Sequence, residues 1–262
     1  MSVLETRELS IRFGGLQAAR DVSIKLGEWE IVGIIGPNGA GKTTTFNMIT
    51  GFYRPDRGRV LYRGQDITRV PVHRRTALGM GRTFQNVGLV KGATVLENLL
   101  TAQHLQARYG TVPAMLGAPQ AFDEERALRD RAHAILEILG LDQLAHTLVA
   151  GLPYGLLKRV EVATVLATDP DVLLLDEPTS GMGPEEAHTF GDQLLQLRDE
   201  FALSIMMIEH HVPLVVRVCD YVYCLNFGEM LAEGRPEEVR NHPEVVRAYL
   251  GEDPEELEQM GV

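Results

Sequence analysis

The chain predicts an α/β fold: a mostly parallel sheet flanked by helices and interrupted by an all-helical insertion. Three observations carry this. The runs at 31–35, 172–175 and 203–208 are apolar except for Ser204, as expected of strands buried on both faces. Each ends in glycine or polar residues, at the edge where parallel sheets gather ligands. Residues 94–105 and 123–139 are helical; in the second, Leu128, Ile135, Leu136 and Leu139 share a face, with Glu124, Glu125, Arg129 and Asp130 mostly opposite.

Composition narrows the class. Of 262 residues, 45% are hydrophobic and 23% charged, enough apolar material for a full core. A net charge of −11 argues against a general nucleic-acid binder, whose footprint is basic. No apolar run approaches the roughly 18 residues of a membrane span, and residues 1–10 carry no signal-peptide pattern, which predicts a cytosolic protein. Cys219 and Cys224 are too few and too unpatterned for a disulfide framework or zinc site, so both are expected as small buried side chains.

In chain order, residues 3–9 and 22–26 read as two strands around the loop Arg12-Phe13-Gly14-Gly15. Phe13, held upstream of the phosphate site, is placed to stack on adenine. The apolar run at 31–35 leads into Gly36-Pro37-Asn38-Gly39-Ala40-Gly41-Lys42-Thr43, which fits the phosphate-cradling pattern G-x-x-x-x-G-K-[ST]. Its glycines let successive backbone N–H groups turn toward a polyphosphate, and the helix opening at Thr44 adds partial positive charge. Lys42 can reach β and γ oxygens, and the Thr43 hydroxyl can bind Mg²⁺. The chain is therefore expected to bind a nucleoside triphosphate through residues 36–44.

Residues 57–62 and 64–66 suggest a strand and turn, and 71–78 a short helix with Pro71 in its first turn. Residues 81–85 form a strand leading into the polar Gln85. The stretch 109–119 holds two prolines and two glycines and reads as a loop, within a helical insertion spanning 87–162. The strand from Val172 ends in Asp176-Glu177, which puts one carboxylate on Mg²⁺ and the next beside the γ-phosphate. After a helix at 184–198, the strand at 203–208 delivers Glu209-His210-His211 to the same edge, with a γ-phosphate contact expected of one histidine. Residues 221–225 and 230–232 flank 226–229 as a hairpin, and 252–258 is an acidic tail expected in solvent.

These residues resemble the ATP-binding-cassette (ABC) ATPases over essentially the whole chain. The phosphate loop, Gln85, the Asp176-Glu177 pair and His210 occur in that family's order and spacing. Residues 11–16, 50–55, 82–85, 208–210 and 245–251 look like one branch of it, the ATPase subunits of branched-chain amino acid importers that carry two different ATPase chains. The resemblance implies a P-loop NTPase core, RecA-like and mostly parallel. An N-terminal antiparallel β subdomain and an α-helical insertion complete it, with bounds at 1–86, 87–162 and 163–262. It also implies that Gly36, Pro37, Asn38, Gly39, Ala40, Gly41, Lys42, Thr43 and Thr44 hold ATP, and that Phe13 stacks on adenine. Thr43, Gln85 and Asp176 would organise Mg²⁺, Glu177 would polarise the attacking water, and His210 would bridge the γ-phosphate to an opposing subunit.

The family's Leu-Ser-Gly-Gly-Gln signature reads Leu152-Pro153-Tyr154-Gly155-Leu156, keeping Leu152 and Gly155, the latter as a nucleotide contact. The Asp that follows Asp-Glu-Pro-Thr in the family is also absent from Ser180-Gly181-Met182-Gly183. The implied partners are a second cassette, identical or different, and membrane permeases contacted near 86–91. A solute-binding protein acts indirectly, and no nucleic acid is involved. The implied place is the cytoplasmic face of the cell membrane. The lipid or lipopolysaccharide exporter ATPases share much of this pattern, and non-transport cassettes form a further alternative. A simple nucleotide kinase would not need Gln85, the signature and His210 together.

Overall fold

The computed structural model describes residues 2–83, 88–103 and 119–249. Gln85, the segments 86–87 and 109–118 and the acidic tail lie outside the described residues. Strands β1 (Ser2–Phe13), β2 (Leu16–Val22) and β3 (Lys25–Gly27) precede β4 (Ile31–Ile35) and helix α1 (Lys42–Thr50). There follow β5 (Arg57–Tyr62), β6 (Gln65–Asp66), α2 (Val72–Ala77), β7 (Met80–Arg82), α3 (Val95–Gln103), α4 (Pro119–Ile138) and α5 (Tyr154–Leu166). The chain then runs through β8 (Val172–Asp176), α6 (Pro184–Phe201), β9 (Ser204–Ile208) and α7 (Val212–Val218). It closes with β10 (Tyr221–Asn226), β11 (Glu229–Gly234), α8 (Pro236–Arg240) and α9 (Pro243–Tyr249).

The larger sheet has the order β11-β10-β4-β9-β8-β7, parallel from β10 to β7, with β11 antiparallel at one edge. Its central strands β4, β8 and β9 are mostly apolar because alternate residues serve two cores. Ile31, Leu173, Leu175, Ile205 and Met207 enter the core shared with α3–α7. Val32, Ile34, Val172, Leu174, Met206 and Ile208 enter the one beneath α1 and the smaller sheet. That smaller sheet is antiparallel, in the order β2-β1-β5-β6 with β3 also on β1.

The N-terminus differs from expectation in register. β1 continues to Phe13, a tight turn at Gly14 reverses the chain, and the second arm of the hairpin is Leu16–Val22. The expected strand at 22–26 is divided between the end of β2 and the short β3. Pro119 opens α4 instead of closing a loop, a position where its missing N–H costs nothing. α4 buries Ala132, Ile135 and Leu136, with Leu139 just beyond its end. α5 runs to Leu166, four residues past the expected end of the insertion at 162.

Two arginines collect the C-terminal end of α1. The Arg75 guanidinium, buried under α2, donates to the carbonyls of Met48 (3.1 Å) and Ile49, and to those of Thr68 and Val70. A cation there meets the negative end of the helix dipole, and burial lowers its pKa to about 10. Arg82, on β7, donates to Asn47 Oδ1 and Thr50 Oγ1, each at 2.7 Å. Cys219 and Cys224 are both buried free thiols. No helix among the described residues is long and apolar enough to cross a membrane.

Candidate active site

The phosphate loop bridges the end of β4 and the start of α1, and its glycines are dictated by space. Gly36 has φ +141°, and a Cβ there would lie 2.1 Å from the Leu225 carbonyl. Gly41, at φ +94°, would carry a Cβ 2.6 Å from the Ala18 carbonyl of β2. Gly41 also serves as N-cap without a side chain, so no side chain caps the first turn of α1. Thr43 and Thr44 stand in that turn. The buried Lys42 Nζ donates to the carbonyls of Gly36 and Pro37. On the other side of the same residue, the Gly36 N–H donates to the Tyr249 hydroxyl at 2.7 Å. Pro37, Asn38, Gly39 and Ala40 form one wall of a cleft of about 440 Å³, with α9 opposite.

Asp176 ends β8 beside the loop. Its Oδ2 accepts from Arg82 Nη2 at 3.0 Å, with the two side chains only 1% and 9% exposed. Its backbone N–H donates to Thr83 Oγ1. Burial pushes the Asp176 carboxyl up and the Arg82 hydrogen bond opposes that shift. Asp176 Oδ1 is buried with no hydrogen-bond partner among the described residues. A carboxylate with one oxygen tied back and the other left bare suits a hard divalent cation.

Glu177 and His210 are brought together, as their place at the ends of β8 and β9 requires. Glu177 Oε1 stands 3.2 Å from His210 Nε2. That hydrogen bond holds the Glu177 carboxyl below its ordinary range, helped by the charges of Lys42 and Lys158 and opposed by burial. An ionised carboxylate only accepts, so Nε2 carries the hydrogen. Glu177 adopts φ +49°, in the left-handed region that non-glycine residues avoid. Its N–H donates to the Ile208 carbonyl, which fixes this bend against β9. Beneath the pair, Glu209 is fully buried; its Oε1 accepts from Thr179 N–H and Oγ1, and its Oε2 from the His210 N–H.

Phe13 ends β1, half exposed and edge-on to Tyr53 at 5.1 Å. Its hairpin adjoins the phosphate loop through the contact between Ala18 and Gly41. The segment 152–156 begins α5, with Pro153 as an N-cap lacking any side-chain bond. Gly155 faces the loop after Glu177, where its Cβ would come 3.4 Å from Met182. The Tyr154 ring covers Gly181, leaving no room for a Cβ at that position. The buried Lys158 pairs with Glu161 at 3.4 Å. The roles of Arg82, Glu209, Lys158 and Tyr249 escape sequence reasoning; for the first three the visible signal is a charged residue inside or beside an otherwise apolar element.

A strained acid–histidine pair beside a lysine-bearing phosphate loop defines a nucleoside-triphosphate-hydrolysing cassette. The family model described as ABC transporter matches residues 19–180, more than half of the sequence. The chain belongs to the ABC transporter family, as an ATP-hydrolysing cassette. Residues 229–255 further match the model described as branched-chain amino acid ATP-binding cassette transporter. The high-affinity branched-chain amino acid transport ATP-binding protein LivG of Salmonella typhimurium is 43% identical over 250 residues, 95% of this chain and 98% of that protein. BraF of Pseudomonas aeruginosa, with the same description, is 40% identical with the same coverage. The lipopolysaccharide export system ATP-binding protein LptB of Haemophilus influenzae is 34% identical, over 96% of this chain and 98% of that protein. The crystal structure of the ADP conformation of an ATP-binding cassette of an ABC transporter superposes with TM-score 0.82 at 34% identity, covering 96% of this chain and 100% of the other.

Proposed function

We propose that the chain is the ATP-hydrolysing subunit of an importer for branched-chain or other amino acids. It works on the cytoplasmic face of the membrane, paired with a second cassette and docked on permease subunits. Uptake begins with a solute-binding protein that this chain does not touch. The core would comprise residues 1–86 and 163–262, and the helical signature subdomain 87–162. The contact between Glu177 and His210 is the observation that carries the chemistry. Glu177 is kept ionised, so it can polarise a water against the γ-phosphate, and His210 holds the carboxylate in place. Lys42 would exchange the carbonyls of Gly36 and Pro37 for phosphate oxygens when ATP binds. Phe13 would stack on the adenine, and Thr44 and the backbone N–H groups at 38–43 would cradle the phosphates.

The bare Asp176 Oδ1, together with Thr43 and Gln85, would hold Mg²⁺. When bound, the ion neutralises charge on the β and γ oxygens. Gly155 would contribute from the opposing cassette, where α5 presents an N-terminus with no side-chain cap. An exporter is the second reading, supported by the likeness to LptB. The match over 229–255 and the higher identity to LivG and BraF favour the importer. The test is uptake of labelled leucine into vesicles that hold the chain with its co-purifying permeases and a second cassette. Uptake that needs ATP and the solute-binding protein is expected; absence of leucine transport by a complex that still hydrolyses ATP would overturn the branched-chain substrate, and absence of uptake of any amino acid would overturn the importer.

A further inference from the structure

We propose that Tyr249, from the C-terminal segment, is a positioning residue for the nucleotide, holding the mouth of the phosphate loop. The inference rests on the nucleotide-binding reading above. Tyr249 is 2% exposed, and its hydroxyl accepts the Gly36 N–H from 213 residues away in sequence. A buried amide at a strand end needs a partner, and here the fold supplies a phenol from the last described helix. This amide is committed to Tyr249, which sets where the chain leaves β4 and enters the loop.

Gly36 is gripped on both sides of its peptide. Lys42 Nζ holds its carbonyl and Tyr249 holds its N–H. The two grips differ in what nucleotide does to them. Lys42 must turn toward phosphate oxygens, so its hold on the loop carbonyls is spent when ATP arrives. The Tyr249 hold has no part in phosphate contact and persists through the exchange. The Leu225 carbonyl stands against the α-carbon face of Gly36, so the residue is confined from a third side by β10. Arg247 and Ala248 of α9 line the cleft along Pro37, Asn38 and Gly39, so the helix that carries Tyr249 follows the outer arm of the loop. Tyr249 lies within the stretch 229–255 that matches the branched-chain cassette model, which gives that stretch a role at the nucleotide.

Without the hydroxyl, the loop populates conformations that pair the Gly36 amide elsewhere, and only the fraction still shaped as a cradle binds. Tyr249→Phe removes one oxygen and keeps the buried ring. Its affinity for ATP should fall roughly tenfold, the effect of orphaning one buried donor, with ADP weakened equally and kcat at saturating ATP unchanged. The experiment is a calorimetric titration of the full chain, wild type, Tyr249→Phe and Lys42→Ala, beside hydrogen exchange at the Gly36 amide. Faster exchange at Gly36 but not at Ile34, with weakened binding, is expected. Wild-type affinity in Tyr249→Phe, while Lys42→Ala binds poorly, would overturn the positioning role. Equally faster exchange at Gly36 and Ile34 would also overturn it, since the phenol would then serve only the core. If Lys42→Ala binds ATP normally, the phosphate-loop assignment itself fails.

Discussion

The phosphate loop and the segment 152–156 are both turns that open a helix without a side-chain cap, yet they are built in opposite ways. At the first, Gly36, Gly39 and Gly41 have positive φ, and a buried lysine follows. Its shape is fixed by contacts behind it: β10, β2, Tyr249 and the carbonyls that hold Lys42. At the second, Pro153 has φ −55°, no N–H and no hydroxyl, and the next side chain, Tyr154, is half exposed. It leans on the loop at 180–183, which itself follows β8. The phosphate loop is complete within one chain. The signature turn offers amides and a dipole but little else, so its contribution depends on what faces it.

The comparison is broken most severely at Glu177. Glu177→Gln should keep ATP binding and lose hydrolysis by about 10²–10⁴-fold, because an amide cannot polarise the water. Single-turnover ATPase rates beside equilibrium binding separate the two effects, and near-normal turnover would remove Glu177 from its role. Next in size is Arg82→Met, which leaves the buried Asp176 carboxylate without its cation. Stability should drop by about 3–5 kcal/mol, read as a shift of the urea midpoint at constant m-value. An unchanged midpoint would mean that Asp176 is not held by that pair.

Lys42→Ala should weaken ATP by about 1.5–3 kcal/mol, since a charge-assisted contact inside the loop is lost. Tight binding in calorimetry would contradict the loop's role. The smallest change sharpens the other end. Pro153→Ser restores a hydroxyl at the head of α5 and should strengthen ATP-driven pairing of the chain by about tenfold per site, one hydrogen bond's worth. The wild-type chain alone should hydrolyse slowly and be accelerated by a partner cassette with a fuller signature. If the lone wild type already turns over as fast as the mixed pair, the signature turn needs no help.

The sequence shows most of the sheet because β4, β8 and β9 send alternate residues into two apolar cores, leaving no polar face to obscure the strands. It hides β2, where Leu16–Val22 lies at the rim of the small sheet and reads as mixed polar surface. It hides α7, only seven residues long with a proline at its start. The same division runs through the site. The loop at 36–43 and the pair 176–177 are contiguous, so their chemistry is written in local order. Arg82, Glu209 and Tyr249 act on partners 94, 30 and 213 residues away, and nothing beside them in the chain marks those contacts. Tyr154 and Gly181 form a similar hidden pair, a ring and the absent side chain that makes room for it.

Glu177 adds one consequence. Its φ of +49° costs a non-glycine residue about 1–3 kcal/mol, and the surrounding hydrogen bonds keep the chain there. Backbone comfort at this bend favours glycine, whereas the role proposed for Glu177 requires a carboxylate. Selection for thermal resilience and selection for turnover therefore pull in opposite directions at position 177. A screen that rewards only folding would drift toward glycine and return a sturdier, silent cassette.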